Sequence, residues 1–269
     1  MRTILYIVVI GTGLFFFGCD VNIFRPDLTH PSSPQGLYTA TGDNLVELFW
    51  NTNPETDVAG YNIFVSSSYN GTYELIGTIS RPYFMDNGAR NGNTYYYAVS
   101  AFDYNDNESN LSKDVAYDTP RPEGYDVALR DYRTSPAVAG YDFSTYSTGN
   151  YDDQYTDVFF ENYQGTYYLN VWQDSDIQDV GYTKSLYDVS DAPVAGWSPT
   201  KDSRVIGGHT YIIWTWDDHY AKLRVSSVSS TRIAFDWAYQ LQKGNTRLKR
   251  SSSSQRTEHL FGGGIKNRN

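Results

Sequence analysis

An all-β protein is what the sequence predicts: a β-sandwich, a second antiparallel β domain, and a disordered C-terminal tail. Three observations carry this. The 269 residues hold 25 Tyr, 13 Phe and 6 Trp, 16% aromatic, against 2 Met and 1 Cys, and Tyr at that density favours strands over helices. Apolar residues recur with period 2 and no sustained 3.6-residue pattern competes with them. Clusters of Gly, Asn, Asp and Pro punctuate these runs at short intervals. The length suits one large or two ordinary domains. A formal charge of −10 argues against a nucleic-acid partner, because phosphate backbones repel such a surface.

The chain opens with Arg2 and then fourteen largely apolar residues, Ile4 to Phe17, followed by Gly18 and Cys19. At 1.5 Å per residue that run covers about 21 Å, short of a bilayer core, so residues 1–18 read as a signal peptide and not as a spanning helix. Phe16-Phe17-Gly18-Cys19 resembles the bacterial lipobox, and Cys19 is the chain's single cysteine. The resemblance implies lipidation of Cys19 as the first mature residue and a membrane partnership through acyl chains. The alternative is an ordinary secretory peptide that happens to end at a cysteine. The implied address is the bacterial cell envelope, at the outer membrane or cell surface in preference to the inner membrane, although Asp20 is similar to an inner-membrane retention signal of some bacteria. Residues 19–33 read as anchor and Pro-containing spacer.

The first folded domain is expected over residues 34–120. Val46, Leu48 and Trp50 share one strand face, Tyr61, Ile63 and Val65 another, and Tyr95, Tyr97, Val99 and Ala101 a third. Asn70-Gly71 marks a tight turn. The segments Leu37-Tyr-Thr-Ala40, Val46-Glu-Leu-Phe-Trp50, Asp57-Val-Ala-Gly-Tyr61-Asn-Ile63 and Tyr95-Tyr-Tyr97-Ala-Val99-Ser-Ala101 together resemble the fibronectin type III family from Pro31 to Pro120. The resemblance implies a spacer or recognition module, core positions for Trp50 and Tyr97, and a tyrosine corner at Tyr95. The Arg-Gly-Asp adhesion tripeptide of some animal members is absent from the sequence. The Asn-x-Ser/Thr matches at Asn70, Asn107 and Asn110 read as turn residues.

Pro120-Arg-Pro122-Glu-Gly124 reads as an interdomain hinge, with an aromatic-rich β domain following over residues 125–242. Residues 157–172 predict a hairpin with a four-residue loop, Asn162-Tyr-Gln-Gly165. Residues 173–203 read as a long Asp-rich excursion of the kind that carries binding. Residues 209–216, 219–225 and 232–239 predict a three-strand meander, with Ala221, Leu223 and Val225 inward and Tyr220, Lys222 and Arg224 outward. Residues 208–224 are also similar to a hairpin of uncharacterised envelope lipoproteins, some haemophore-like, and this likeness transfers no ligand.

Candidate chemistry is sparse. His209 and His219 would stand at opposite ends of one strand, about 23 Å apart at 3.3 Å per residue, too far to share an ion or haem. Asp174, Asp176 and Asp179 lack the Gly and distal Glu of a calcium loop. No nucleophile elbow, zinc helix or phosphate loop stands in the sequence, so neither a metal nor another cofactor is expected. Trp172, Trp197, Trp214 and Trp216 are the candidate ligand-binding residues, since Trp stacks on apolar sugar faces while nearby Asp and Asn accept hydroxyl protons. The alternative reading is that these rings form the core of a domain poor in Leu and Ile. Residues 243–269 hold seven Lys or Arg and one Glu and read as a basic disordered tail, either a solvated end or a segment drawn to anionic lipid or polysaccharide. The sequence thus predicts a membrane-anchored envelope lipoprotein with a non-catalytic binding or display role toward a glycan or protein. A carbohydrate-binding accessory protein, or a glycan hydrolase built from the second domain, is the alternative.

Overall fold

The computed structural model describes residues 27–248 and Ser254–Gln255. The expected signal peptide, Cys19 and most of the basic tail therefore lie outside the described residues. Among the described residues the structure is all-β, with two single-turn 3-10 helices, Pro136–Val138 and Leu186–Asp188.

Seven strands build the first sandwich: β1 (Tyr38–Gly42), β2 (Leu45–Phe49), β3 (Val58–Ser66), β4 (Glu74–Ile79), β5 (Tyr83–Asp86), β6 (Tyr95–Asp103) and β7 (Asp114–Asp118). One sheet has the order β1-β2-β5 and the other β7-β6-β3-β4, all pairs antiparallel. Period-2 alternation places Val46, Leu48, Ile63, Tyr97 and Val99 in the space between, closed by Trp50, whose ring meets Tyr61 edge-on at 5.3 Å. Trp50 and Tyr97 are both buried, as the family resemblance implies. The Tyr97 hydroxyl donates to Asp86 at 2.9 Å. Tyr95 stands at the start of β6 and its hydroxyl accepts from the Arg90 backbone N–H at 3.0 Å, five residues upstream, which is the geometry of a tyrosine corner.

The second sandwich uses β8 (Glu123–Arg130), β9 (Gly140–Asp142), β10 (Ser147–Gly149), β11 (Val158–Tyr163), β12 (Thr166–Asn170), β13 (Asp176–Tyr182), β14 (Asp202–Arg204), β15 (His209–Trp214), β16 (Tyr220–Val228) and β17 (Arg232–Gln240). One sheet runs β10-β9-β11-β12-β14 and the other β13-β15-β16-β17-β8. A two-residue strand, β18 (Ser254–Gln255), pairs with β7 of the first sandwich. Tyr141, Phe143, Phe160, Tyr211, Phe235, Trp237 and Tyr239 pack in the core among ten Leu, Ile and Val side chains, with Tyr141 edge-on to Phe235 at 5.6 Å. Edge-to-face pairs of this kind add about 0.5–1.5 kcal/mol beyond area burial. Packing is close enough to fix Gly124: a Cβ there would lie 2.2 Å from Trp237 Nε1, so only glycine lets β8 pass over the indole.

The predicted meander is β15-β16-β17, and the predicted hairpin is β11-β12. The hairpin turn is shorter than expected. Tyr163 pairs with Thr166, leaving Gln164 (φ 50°) and Gly165 (φ 84°) as a two-residue turn whose positive dihedrals match the strand twist.

The second sandwich departs from the sequence pattern in its outer layer. The 173–203 excursion contains β13 on the edge of a sheet, and residues 183–198 then run back over the outer face of β15 and β16. Val189, Ala192 and Trp197 there pack on Ile212, Trp214 and Tyr220, so Tyr220 and Lys222 are buried and not solvent-facing. Lys222 Nζ donates to the Val189 carbonyl at 3.1 Å, which anchors its charge under the loop. At the expected interdomain hinge Pro120, Arg121 and Pro122 are buried, and the Pro120 carbonyl, Arg121 N–H and Pro122 carbonyl are hydrogen-bonded. The ordered chain continues past Gln242, since Leu248 is fully buried in the same outer cluster and Thr246 and Leu248 bond to Ala192 and Ser190.

Candidate binding face

The four Trp candidates fall in three places. Trp197 and Trp214, 6.0 Å apart, lie half-buried with Tyr220 beneath the 183–198 loop; Trp214 and Tyr220 are nearly parallel at 5.6 Å, and Trp214 Nε1 donates to Asp218 at 3.0 Å. These two rings act as core. Trp216, 53% exposed, stands in the β15–β16 turn. Trp172, 36% exposed, follows β12 and packs on Phe159 at 5.3 Å.

Trp172 belongs to a continuous aromatic row. On β11, Val158 and Phe160 point into the core, so period 2 turns Phe159, Glu161 and Tyr163 outward. Cross-strand pairing sets Asn170 beside Phe159, Tyr168 beside Glu161, and Asp202 beside Asn170. Tyr151, just past β10, meets Phe159 at 5.5 Å, and Tyr132, just past β8, meets Tyr151 at 4.6 Å. The rings are tilted by 35° to 57° from one step to the next and form an uneven ridge. Next to the ridge the Arg133 guanidinium lies 5.2 Å from the Tyr132 ring and 5.1 Å from the Tyr163 ring, held by Glu161 through Nε at 3.0 Å and a shorter Nη2 contact. Asn170 Nδ2 donates to the other Glu161 oxygen at 3.4 Å. Burial and the Glu161 carboxylate push the Tyr132 phenol above its ordinary value. The face joins flat apolar rings to fixed donors and acceptors.

Sequence reasoning found Trp172 but not Tyr132, Tyr151 or Phe159. The parity of Phe159 against Val158 and Phe160 was a usable signal. Tyr132 and Tyr151 sit in loops, and nothing local shows that two loops 19 residues apart meet over one strand.

The other candidates resolve as structure. Asp176 takes Lys201 Nζ at 2.8 Å and Asp179 takes His209 Nδ1 at 2.9 Å, so the Asp-rich stretch spends its carboxylates separately along β13. His209 opens β15 and His219 closes the turn after it, Nδ1 against the Gln240 carbonyl at 2.9 Å; the whole of β15 separates the rings. Among the described residues Asp27, Asp57 and Asp103 are the acidic group that does converge, with one oxygen of each within 4.8 Å of the others, and Asp103 is occupied by Asn105 and Asn107. Burial raises Asp157 to about 7, although its Oδ2 accepts from the Phe143 N–H at 2.8 Å, and Asp142, Asp217 and Asp174 oppose its ionisation further. That carboxyl is buried and closes the turn after β9, a structural post and not an exposed acid.

No family model matches the chain. An amylopullulanase of Thermoanaerobacterium thermosulfurigenes is 42% identical over 94 residues, 34% of this chain and 5% of that protein. The amylopullulanase of Thermoanaerobacterium saccharolyticum is 40% identical over 93 residues, 34% of this chain and 7% of the other. That of Thermoanaerobacter thermohydrosulfuricus is 33% identical over 118 residues, 42% and 8% of the respective chains. The chain therefore spans only 5 to 8% of the length of these curated relatives. Among solved structures, an Fn3-like protein from Clostridium thermocellum is 32% identical, covering 36% of this chain and 100% of its own, with a TM-score of 0.30. A β-1,2-glucanase from Parabacteroides distasonis is 25% identical over 36% of this chain and 14% of its own, with a TM-score of 0.32.

Proposed function

We propose that the chain, whose first sandwich has the sheet order and tyrosine corner of a fibronectin type III-type domain, is a non-catalytic binding and display protein of a bacterial cell envelope, tethered through lipidated Cys19, which holds carbohydrate on the outer face of its second sandwich. The first sandwich supplies reach. The observation that carries the ligand class is the unbroken row Tyr132–Tyr151–Phe159–Trp172, flanked by Arg133, Glu161, Asn170 and Asp202. Aromatic faces bury the apolar C–H surface of a sugar ring, and fixed polar groups at the margin pair with its hydroxyls; each supplies what the other lacks. The similarity to segments of amylopullulanases supports a carbohydrate setting for the first sandwich.

A glycan array probed with the full chain tests the reading. Retention of a polysaccharide that Trp172→Ala and Phe159→Ala each weaken by about tenfold or more supports it, a loss of the size expected for one aromatic contact. Absence of any retained glycan, or equal retention by both variants, overturns it. The anchor is tested separately by intact mass: material from native cells that begins at an unmodified Met1 would exclude lipidation at Cys19.

A further inference from the structure

We propose that the junction between the two sandwiches is a rigid joint locked on the buried guanidinium of Arg121, so that the two bodies turn and unfold as one unit. The side chain of Arg121 has no solvent exposure. Its ion-pair partner is Glu123 from the second sandwich and the charge of Asp118 from the first also acts on it, while none of its three guanidinium nitrogens has a hydrogen-bond partner among the described residues. Asp118, the last residue of β7, is buried and accepts from Thr41 Oγ1 at 2.7 Å and from the Thr119 N–H at 2.8 Å. Glu123, the first residue of β8, has a side chain 3% exposed, with Oε1 3.4 Å from Arg121 Nη2. Its Oε2 accepts from the hydroxyls of Tyr125 at 2.7 Å and Tyr187 at 2.8 Å. Burial alone would push the Arg121 proton off more easily, and the charges of Glu123 and Asp118 act against that.

The physical argument is that a charge so far from water is tolerated only while both acids stay beside it. Swinging one sandwich away from the other would draw Asp118 and Glu123 apart and strand charges in a low-dielectric interior. The backbone of the joint is committed to both sides as well. The Arg121 N–H donates to the Gly42 carbonyl at 3.2 Å and the Pro120 carbonyl accepts from Gly92 at 2.8 Å, both in the first sandwich. The Pro122 carbonyl accepts from Tyr239 at 3.1 Å in the second. Two side-chain contacts fasten the flanks: Gln242 Nε2 donates to the Gly92 carbonyl at 2.9 Å, and the Arg247 guanidinium lies 4.5 Å over the Tyr117 ring. A flexible linker would have left these groups to water.

Hydrogen exchange read by mass spectrometry, together with calorimetry, tests the joint on the full chain in detergent. The expected result is a peptide covering residues 119–124 as protected as one from β6, and a single unfolding endotherm. A linker peptide that exchanges as fast as the exposed 229–231 turn, or two separate endotherms, overturns the proposal. In Arg121→Ala the linker peptide should exchange about tenfold faster or more while β6 and β17 peptides keep their protection, the signature of local opening. Unchanged linker protection in that variant also overturns it. Glu123→Gln, held to the same criteria, takes its place if Arg121→Ala does not fold, and the two wild-type readings decide the matter without any variant.

Discussion

The two sandwiches solve the same problem with different materials. In the first, aliphatic residues fill most of the space and two tyrosines are pinned by their hydroxyls, Tyr95 to backbone and Tyr97 to Asp86. In the second, seven aromatic rings against the three of the first share the core with ten branched aliphatics, and one of the two sheets is covered on its outer face by a third layer from residues 183–198. Among the described residues nothing covers the outer face of the other sheet, and that is where the aromatic ridge lies. Aromatic abundance therefore means two things in one domain: structure where a layer covers it, and surface where none does.

That contrast can be broken most forcefully at the core. Trp237→Ala, removing a buried ring that contacts Tyr141, Phe143 and Tyr146, is expected to cost about 3–5 kcal/mol, and Trp50→Ala in the first sandwich a similar amount. Denaturant melts measure both. If the joint couples the bodies, either substitution lowers one shared transition; a loss confined to one of two transitions would separate them.

Next in size is a pH effect confined to the second sandwich. Asp157 titrates near 7 in the fold against an ordinary value of 3.8, so the folded state holds its proton more tightly than the unfolded chain. Its contribution to stability is fully present below about 3.8 and is lost as pH rises through about 7. Asp157→Asn keeps an oxygen for the Phe143 N–H, and is expected to stabilise the protein at pH 8 by about 2–4 kcal/mol and to remove this slope. Melting at pH 5 and pH 8 checks it; equal differences at both values would contradict the assignment.

Smaller effects sharpen the comparison. Tyr95→Phe deletes the tyrosine corner's acceptor and should cost about 1 kcal/mol in the first sandwich, with the Arg90 N–H left to find water. Trp216→Ala, at an exposed turn, should change stability by less than about 0.5 kcal/mol. A larger loss there would mean that Trp216 packs against something in solution.

Much of this architecture was legible because most strands of the first sandwich are covered on one face only, and alternation survives in their sequences: Val46, Leu48 and Trp50 read inward on sight. Legibility failed where a strand is buried twice over. Tyr220, Lys222 and Arg224 have the pattern of a solvent face, and only the return of residues 183–198, far along the chain, converts that face into an interior. β13 was missed for a related reason: Asp176 and Asp179 make it look like a loop until Lys201 and His209 are seen to pair with them. Pro120 to Gly124 carries every local mark of a hinge, and the backbone bonds it makes to Gly42, Gly92 and Tyr239 come from distant partners that no local reading can supply. Of the aromatic ridge, the strand residue was recoverable from parity; the loop residues depend on how distant turns meet.

The docking of Leu248 bears on how the molecule can be cut. Its side chain plugs the patch formed by Ala192, Ile212, Tyr220 and their neighbours, while Thr246 and Leu248 make short backbone links to Ala192 and Ser190. Trimming the polypeptide after Gln242 would uncork greasy surface along with the basic stretch, and such a shortened protein would tend to clump for reasons unrelated to its lost positive charge. A fair excision of that charge begins after Leu248.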